Sequence, residues 1–345
     1  MRYLVTGAAG FIGAQVCRQL IDAGHDVTGV DNLNDYYDVR LKDWRLGDLL
    51  GSAAFPLGES HEVSVYSGCR GVENGGFRFI DLDIENLEEL EALFASSGFD
   101  AVFNLAARAG VRYSIENPHV YLSTNAKGTL NILECQRRHG VKKQVLASTS
   151  SLYAGSPLPF VETLPVNTPL SPYAATKKAA EMLTSSYHQL FGLDIAVLRF
   201  FTVFGPAGRP DMSPFRFIKW IAEGTPITLY GDGTQSRDFT YVNDVARGVI
   251  LAGEKVTGYD IINIGGGRSP ISLNTMIAVI EGALGKKAII DYQPFHAADM
   301  TDTAADISKA GRVLEWAPQT TPEAGFIKCV EWYQQNAQWL KSVRT

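Results

Sequence analysis

Three glycines constrain this chain more than any other feature. Gly7, Gly10 and Gly13 lie in Gly7-Ala8-Ala9-Gly10-Phe11-Ile12-Gly13, directly after an apolar run at 3–6 and at the start of a helical pattern at 12–23 that Gly24 closes. A strand that turns through glycine into a helix presents free N–H groups and the positive end of the helix dipole at the strand's carboxyl edge. One glycine permits the tight turn, another lets backbone approach a phosphate, and the third lets helix and strand pack closely. The spacing is GxxGxxG, so the triplet gains weight only from its context.

That context is an alternation of strands and helices. Residues 27–30, 77–80, 101–105 and 144–147 read as further strands, with helices at 87–96 and 121–139 between them. Such alternation implies right-handed crossovers and a doubly wound parallel sheet. A helix at 173–191 and a strand at 195–199 follow. Beyond Gly205 the pattern is mixed: helical at 215–223, 242–251, 272–284 and 324–340, extended at 227–230 and 260–264. The expected architecture is α/β, a parallel Rossmann sheet with a smaller mixed α/β domain. Residues 1–192 plus about 236–264 would form the first unit, and 193–235 plus 265–345 the second. An insertion is expected at about 44–76, because 51–76 carries Gly, Ser and Pro without a clear period. It reads as a surface segment, either a lid or decoration.

Composition narrows the function classes. The 345 residues hold 31 basic and 37 acidic side chains, a formal charge of −6, which argues against a surface built to hold nucleic acid or an anionic membrane. A local positive pocket stays allowed. Cys17, Cys69, Cys135 and Cys329 form no CxxC pair, and the six histidines show no ligand spacing, so no metal site is expected. The first residues enter a strand at once, and no apolar run spans a bilayer, so a soluble cytoplasmic protein is expected.

Asp31 ends the second strand, where a carboxylate accepts ribose hydroxyls and repels a 2′-phosphate, favouring NAD over NADP. Asp83 and Ile84 follow the next strand, near an adenine or as a simple helix cap. Tyr173 and Lys177 stand at i and i+4 on one helix face, after Ser171-Pro172. A free tyrosine ionises near pH 10, so a base role at neutral pH needs nearby positive charge. The Lys177 ammonium and the nicotinamide are expected to supply it. Upstream, Ser148-Thr149-Ser150-Ser151 follows a parallel strand, at the edge where doubly wound sheets bind ligands.

In this order the residues resemble an extended short-chain dehydrogenase/reductase, over nearly the whole chain. Asn104-Leu105-Ala106-Ala107 belongs to the same set. Four further segments narrow the resemblance to UDP-glucuronate 4-epimerases, which interconvert UDP-glucuronate and UDP-galacturonate: 109–114, 171–179, 198–212 and 237–242. The resemblance implies tightly held, recycled NAD, contacted by Gly7, Gly10, Phe11, Ile12, Gly13, Asp31, Asn32, Asp83, Ile84 and Ala106, with Tyr173 and Lys177. It assigns catalysis to Thr149, Tyr173 and Lys177. It assigns the UDP-sugar to Arg112, Thr149, Ser150, Ser151, Thr202, Arg209, Arg237 and Asp299. Tyr173 would take the O4 proton, the C4 hydride would pass to NAD, and the rotated 4-keto sugar would recover it on the other face. Hydroxyl donors at Thr149, Ser150, Ser151 and Thr202, with Arg209 nearby, would hold the sugar carboxylate. Asn104 and Asn125 would support the site. A homodimer through helices 121–139 and 173–191 is implied too. The chain departs from the family pattern at Arg108, at Ala154 and in the length of 51–76.

Rivals differ at a few positions. A 4,6-dehydratase carries Asp-Glu after the threonine, and a decarboxylase a glutamate in the cluster; Ser150-Ser151 stand here instead. A UDP-galactose/UDP-glucose 4-epimerase shares the C4 chemistry and differs only around C6. A non-catalytic NAD-binding regulator would not need hydroxyl, tyrosine and lysine together.

Overall fold

A computed structural model of the chain describes residues 1–51, 64–66, 69–267, 270–295 and 301–345. Its centre is a nine-stranded sheet in the order Tyr259–Ile264, Asp194–Phe200, Lys143–Thr149, Ala101–Asn104, Arg2–Thr6, Asp26–Asp31, Phe77–Asp81, Cys69–Asn74, Ser64–Tyr66. Neighbours are parallel up to Phe77–Asp81, and the last two strands form an antiparallel extension. The chain winds outward from Arg2–Thr6 in one direction, then returns to Ala101–Asn104 and winds outward in the other. Those two strands mark the switch point, where a crevice opens at the carboxyl ends.

Strand residues explain the double winding. Side chains alternate across a sheet, and these strands are apolar on both faces. Val5, Phe103, Ala196 and Leu198 pack on one side with Val16 and Leu20 of helix Phe11–Asp22 and Val245 and Val249 of helix Val242–Lys255. Leu4 and Val102 face the other side, against Leu90 and Leu93 of helix Leu87–Ser97 and Ile132 of helix Thr129–His139. Ile195 and Val197 meet Leu133 and Ala180 there. Truncating one of these leucines or isoleucines, or Phe103, to alanine costs about 2–5 kcal/mol.

A second core joins helices Ser213–Glu223, Leu273–Leu284 and Pro322–Leu340 through Phe215, Ile218, Ile277, Ile280, Phe326 and Trp332. The parallel pair Ile227–Tyr230 and Ile290–Gln293 adds Ile227 and Leu229.

Three expectations are corrected. Asp194–Phe200 was expected in the second unit but is a strand of the central sheet, because its alternating apolar residues fill both faces. Ala310, Leu314 and Trp316 pack into the sheet's core although they lie within 265–345. The expected insertion is not patternless over its described part. Arg40–Leu50 is a helix, with Leu41, Leu46, Leu49 and Leu50 buried, and Cys69–Asn74 pairs with Phe77–Asp81. The lid-or-decoration reading of the remainder falls mostly on residues outside those described. Within the described residues no helix is long and apolar enough to cross a membrane. Cys17, Cys135 and Cys329 are buried free thiols.

Candidate active site

At the switch point lies a cavity of about 980 Å³, and every expected site residue except Asp299 lines it. Asp299 falls outside the described residues. The volume sits at the upper end for a single-ligand pocket, which suits two ligands side by side.

The glycine turn forms one wall. Gly7 adopts φ +71°, a left-handed conformation that suits glycine. A Cβ on Gly13 would stand 2.0 Å from the Gly7 carbonyl oxygen, and one on Gly7 would stand 2.9 Å from the Ala106 nitrogen. Helix Phe11–Asp22 starts at Gly10 with no side-chain cap, so the N–H groups of its first turn stay available to a ligand. This is a cradle that side chains would fill, and it fits a dinucleotide's pyrophosphate. Asp31 ends its strand with Oδ1 accepting the Leu33 N–H at 2.9 Å and the Lys42 ammonium at 3.2 Å. Both partners of that ion pair are buried. Asn32 donates to Asp83 at 2.8 Å, joining two of the expected contacts, and the Ala106 N–H donates to Thr6 Oγ1 at 3.0 Å. Asn104 and Asn125 lie outside the cavity lining: Asn104 accepts from the Thr6 hydroxyl at 2.9 Å, and Asn125 holds the backbone of Arg108 at 2.9 and 3.0 Å.

Tyr173 and Lys177 come from helix Pro172–Phe191, which Ser171 caps through the Ala174 N–H at 3.1 Å. Both side chains are buried. Thr149 ends the strand Lys143–Thr149, and its hydroxyl oxygen accepts the Ser151 N–H at 3.1 Å. With that lone pair occupied, the hydroxyl proton of Thr149 stays available to another acceptor. Burial pushes the Tyr173 phenol above its ordinary value; the nearby Thr149 hydroxyl and the Arg209 charge pull the other way, and Tyr36 adds to the rise. Arg209, expected at the sugar, thus also bears on Tyr173. Lys177 donates to the Ala147 carbonyl at 2.8 Å, and burial lowers its pKa to about 8 against the opposing charge of Glu181.

A buried network supports these elements. Arg199 forks onto Glu181 at 2.9 and 2.8 Å, and Ser148 donates to Glu181 at 2.7 Å. Arg199 also donates to the Tyr153 hydroxyl, which donates to Asn263, each at 2.8 Å. Strand, helix and neighbouring strand are thereby held in register around Thr149 and Tyr173.

The opposite wall carries Ser150, Ser151, Thr202 and four guanidinium groups. Arg209 pairs with Asp211 through Nε, at 3.0 Å, and through Nη2, and lies 5.5 Å from the Tyr36 ring centre. Arg112 lies 4.6 Å over the Tyr230 ring. Arg237 donates to the carbonyls of Ser236 and Thr301 at 2.8 and 3.0 Å. Arg108 donates to Asn34 at 3.1 Å and stacks on Tyr36 at 5.7 Å.

Sequence reasoning missed Lys42, Tyr36 and Tyr121, whose ring meets that of Tyr173 edge-on at 6.1 Å. The signal for Lys42 was present in the helical spacing of Leu41, Leu46, Leu49 and Leu50. Nothing local marks Tyr36 or Tyr121, because only the fold brings them to the site.

A sequence model of the NAD dependent epimerase/dehydratase family matches residues 3–265. A UDP-glucuronate 4-epimerase of Thermodesulfobacterium geofontis is 54% identical over 342 residues, 99% of each chain. The crystal structure of UDP-glucuronic acid 4-epimerase from Bacillus cereus, in complex with UDP-glucuronic acid and NAD, superposes with a TM-score of 0.85 at 34% identity, covering 97% of this chain and 100% of that one. A UDP-glucose 4-epimerase of Thermotoga maritima with UDP-glucose gives 0.81 at 30% identity, covering 98% and 100%. The chain belongs to the NAD-dependent epimerase/dehydratase family.

Proposed function

We propose that the chain is an NAD-dependent 4-epimerase that interconverts UDP-glucuronate and UDP-galacturonate. The observation that carries this reading is Tyr173, buried in the wall of one cavity that Thr149, Ser150, Ser151, Lys177 and Thr202 also line. NAD, when bound, supplies the acceptor for the C4 hydride and a positive charge beside Tyr173. Tyr173 removes the O4 proton as the hydride leaves and returns it after the 4-keto sugar has turned. Thr149 holds the reacting oxygen in line by hydrogen bonding. Lys177, fixed by the Ala147 carbonyl, presents its ammonium to the cofactor ribose. Gly7, Gly10, Phe11, Ile12 and Gly13 bind the dinucleotide through backbone; Asp31, Asn32, Asp83, Ile84 and Ala106 frame its adenosine end and the cavity floor.

Ser150, Ser151 and Thr202 hold the sugar carboxylate by hydroxyl donation, with Arg209 near. Hydroxyls bind the carboxylate without stripping it, which protects a 4-keto uronate from losing carbon dioxide. Arg112, Arg237 and Asp299 serve the UDP moiety; a guanidinium suits pyrophosphate geometry. Two units meet at the cavity, with the central sheet holding NAD and the helices Ser213–Glu223, Leu273–Leu284 and Pro322–Leu340 closing the sugar side. The protein works in the cytoplasm as a homodimer, pairing through helices that expose Leu122 and Met182.

One observation favours a second reading. Asp211 already offsets the charge of Arg209, which suits a neutral hexose as in a UDP-glucose 4-epimerase. Purified protein mixed with UDP-glucuronate and no added cofactor decides between them. Formation of UDP-galacturonate supports the proposal. Turnover of UDP-glucose alone transfers the assignment to the neutral sugar, and turnover of neither, even with added NAD, defeats both.

A further inference from the structure

A buried guanidinium outside the cavity lining connects the two walls of the site. Arg45, on helix Arg40–Leu50, is 3% exposed. Its Nη1 donates to the Ala9 carbonyl at 3.0 Å and to the Tyr37 hydroxyl at 2.7 Å. Its Nε and Nη2 both donate to the Ala207 carbonyl, at 3.1 and 2.7 Å. The rings of Phe11 and Tyr37 flank it, with centres 5.9 and 5.5 Å from the guanidinium carbon. Each of these acceptors is neutral, and no described carboxylate forms an ion pair with Arg45.

A buried cation without a counter-charge is costly unless something offsets it. A purely architectural tie would be more stable with an acid beside it, or with an apolar residue in its place. The two carbonyls explain the choice. Ala9 precedes Gly10, the cap of the helix whose N-terminus lines the dinucleotide wall. Ala207, at φ +51°, lies in the turn leading to Gly208 and Arg209, which line the sugar wall.

We infer that Arg45 is a positioning residue of the epimerase site: it ties the phosphate-facing turn to the loop carrying Arg209, and its charge, paired with no described carboxylate, attracts the dinucleotide's pyrophosphate. The inference rests on the function proposed above. A planar fork is needed to reach both carbonyls, whereas any cation on this stem supplies the attraction. The two contributions are therefore separable by substitution.

Arg45→Lys keeps the charge and loses the fork; Arg45→Met keeps the stem and loses both. Each variant is first compared with wild type by near-ultraviolet circular dichroism. Calorimetric titration of nucleotide-freed protein then gives the Kd for NAD, and initial rates give kcat and KM with UDP-glucuronate. Arg45→Met is expected to raise the NAD Kd roughly tenfold or more. Arg45→Lys is expected to keep the NAD Kd within about threefold while raising KM for UDP-glucuronate roughly tenfold, through a slackened Arg209 loop. Variants that lose only melting temperature, with Kd, KM and kcat unchanged, overturn the inference. So does a folded Arg45→Met that binds NAD as wild type does. Should Arg45→Met not fold, an unchanged KM in Arg45→Lys is the overturning result. A wild-type chain inactive on UDP-glucuronate would instead defeat the proposed function, while the NAD titrations would still judge Arg45.

Discussion

On the dinucleotide wall, the groups that face the cavity come from one contiguous backbone stretch, Gly10 to Gly13, at a helix start without a side-chain cap. On the sugar wall they are side chains gathered from separate segments: Thr149 to Ser151, Thr202, Arg209 and Arg237. A backbone cradle has little freedom to vary, because a Cβ at Gly13 would collide with the Gly7 oxygen. A wall of hydroxyl and guanidinium groups changes ligand with one substitution. One fold thus keeps its cofactor and alters its sugar, which is why epimerases for a uronate and for a neutral hexose superpose on this chain almost equally well.

Tyr173 stands between the walls, and its loss has the largest expected effect. Tyr173→Phe removes the proton acceptor and should lower kcat by about 10³-fold or more while NAD remains bound. Near-wild-type turnover would remove Tyr173 from its role. Gly13→Ala tests the rigidity of the first wall. It should cost about 2 kcal/mol of stability and yield protein purified without dinucleotide, read by the absorbance of released nucleotide. Normal occupancy would mean that the turn yields more than its geometry implies. Arg209→Ala tests the adaptability of the second. It should reduce kcat/KM for UDP-glucuronate by about tenfold relative to UDP-glucose. Equal losses on both sugars would argue against a carboxylate contact and for a role of the Arg209–Asp211 pair in loop shape alone.

The smallest effect concerns Lys177, whose pKa burial brings from 10.5 to about 8. Between those values the unfolded chain still binds the proton that the native chain has released, so this group's contribution to stability increases with pH. Over the same window the neutral amine no longer presents a positive charge to the cofactor, and kcat should fall. Opposite trends in Tm and kcat above pH 8, with the Tm trend reduced in Lys177→Met, are the expected result. Parallel trends would place the titration elsewhere.

The same contrast governs what the amino-acid sequence revealed. The glycine turn, Asp31 and the Tyr173–Lys177 spacing are local patterns, and strands apolar on both faces announce a parallel sheet. Helix Arg40–Leu50 went unseen because Lys42 and Arg45 interrupt its apolar face. Those cations are buried through Asp31 and through the Ala9 and Ala207 carbonyls, partners that no local reading identifies. Asp194–Phe200 was misassigned because a strand's sheet membership depends on its pairing, not on its composition. The positive charge on Tyr173 was assigned to its neighbour in sequence, Lys177. Folding adds the Arg209 charge to the surroundings of the phenol and ties Lys177 to the Ala147 carbonyl.

The central claim is that a hydride leaves C4 and returns to the same carbon inside one cavity. UDP-glucuronate deuterated at C4, incubated with the purified protein in ordinary water, tests it most directly. The account predicts UDP-galacturonate that retains the deuterium at C4, read by proton NMR and mass spectrometry. Product carrying solvent hydrogen at C4 would contradict it.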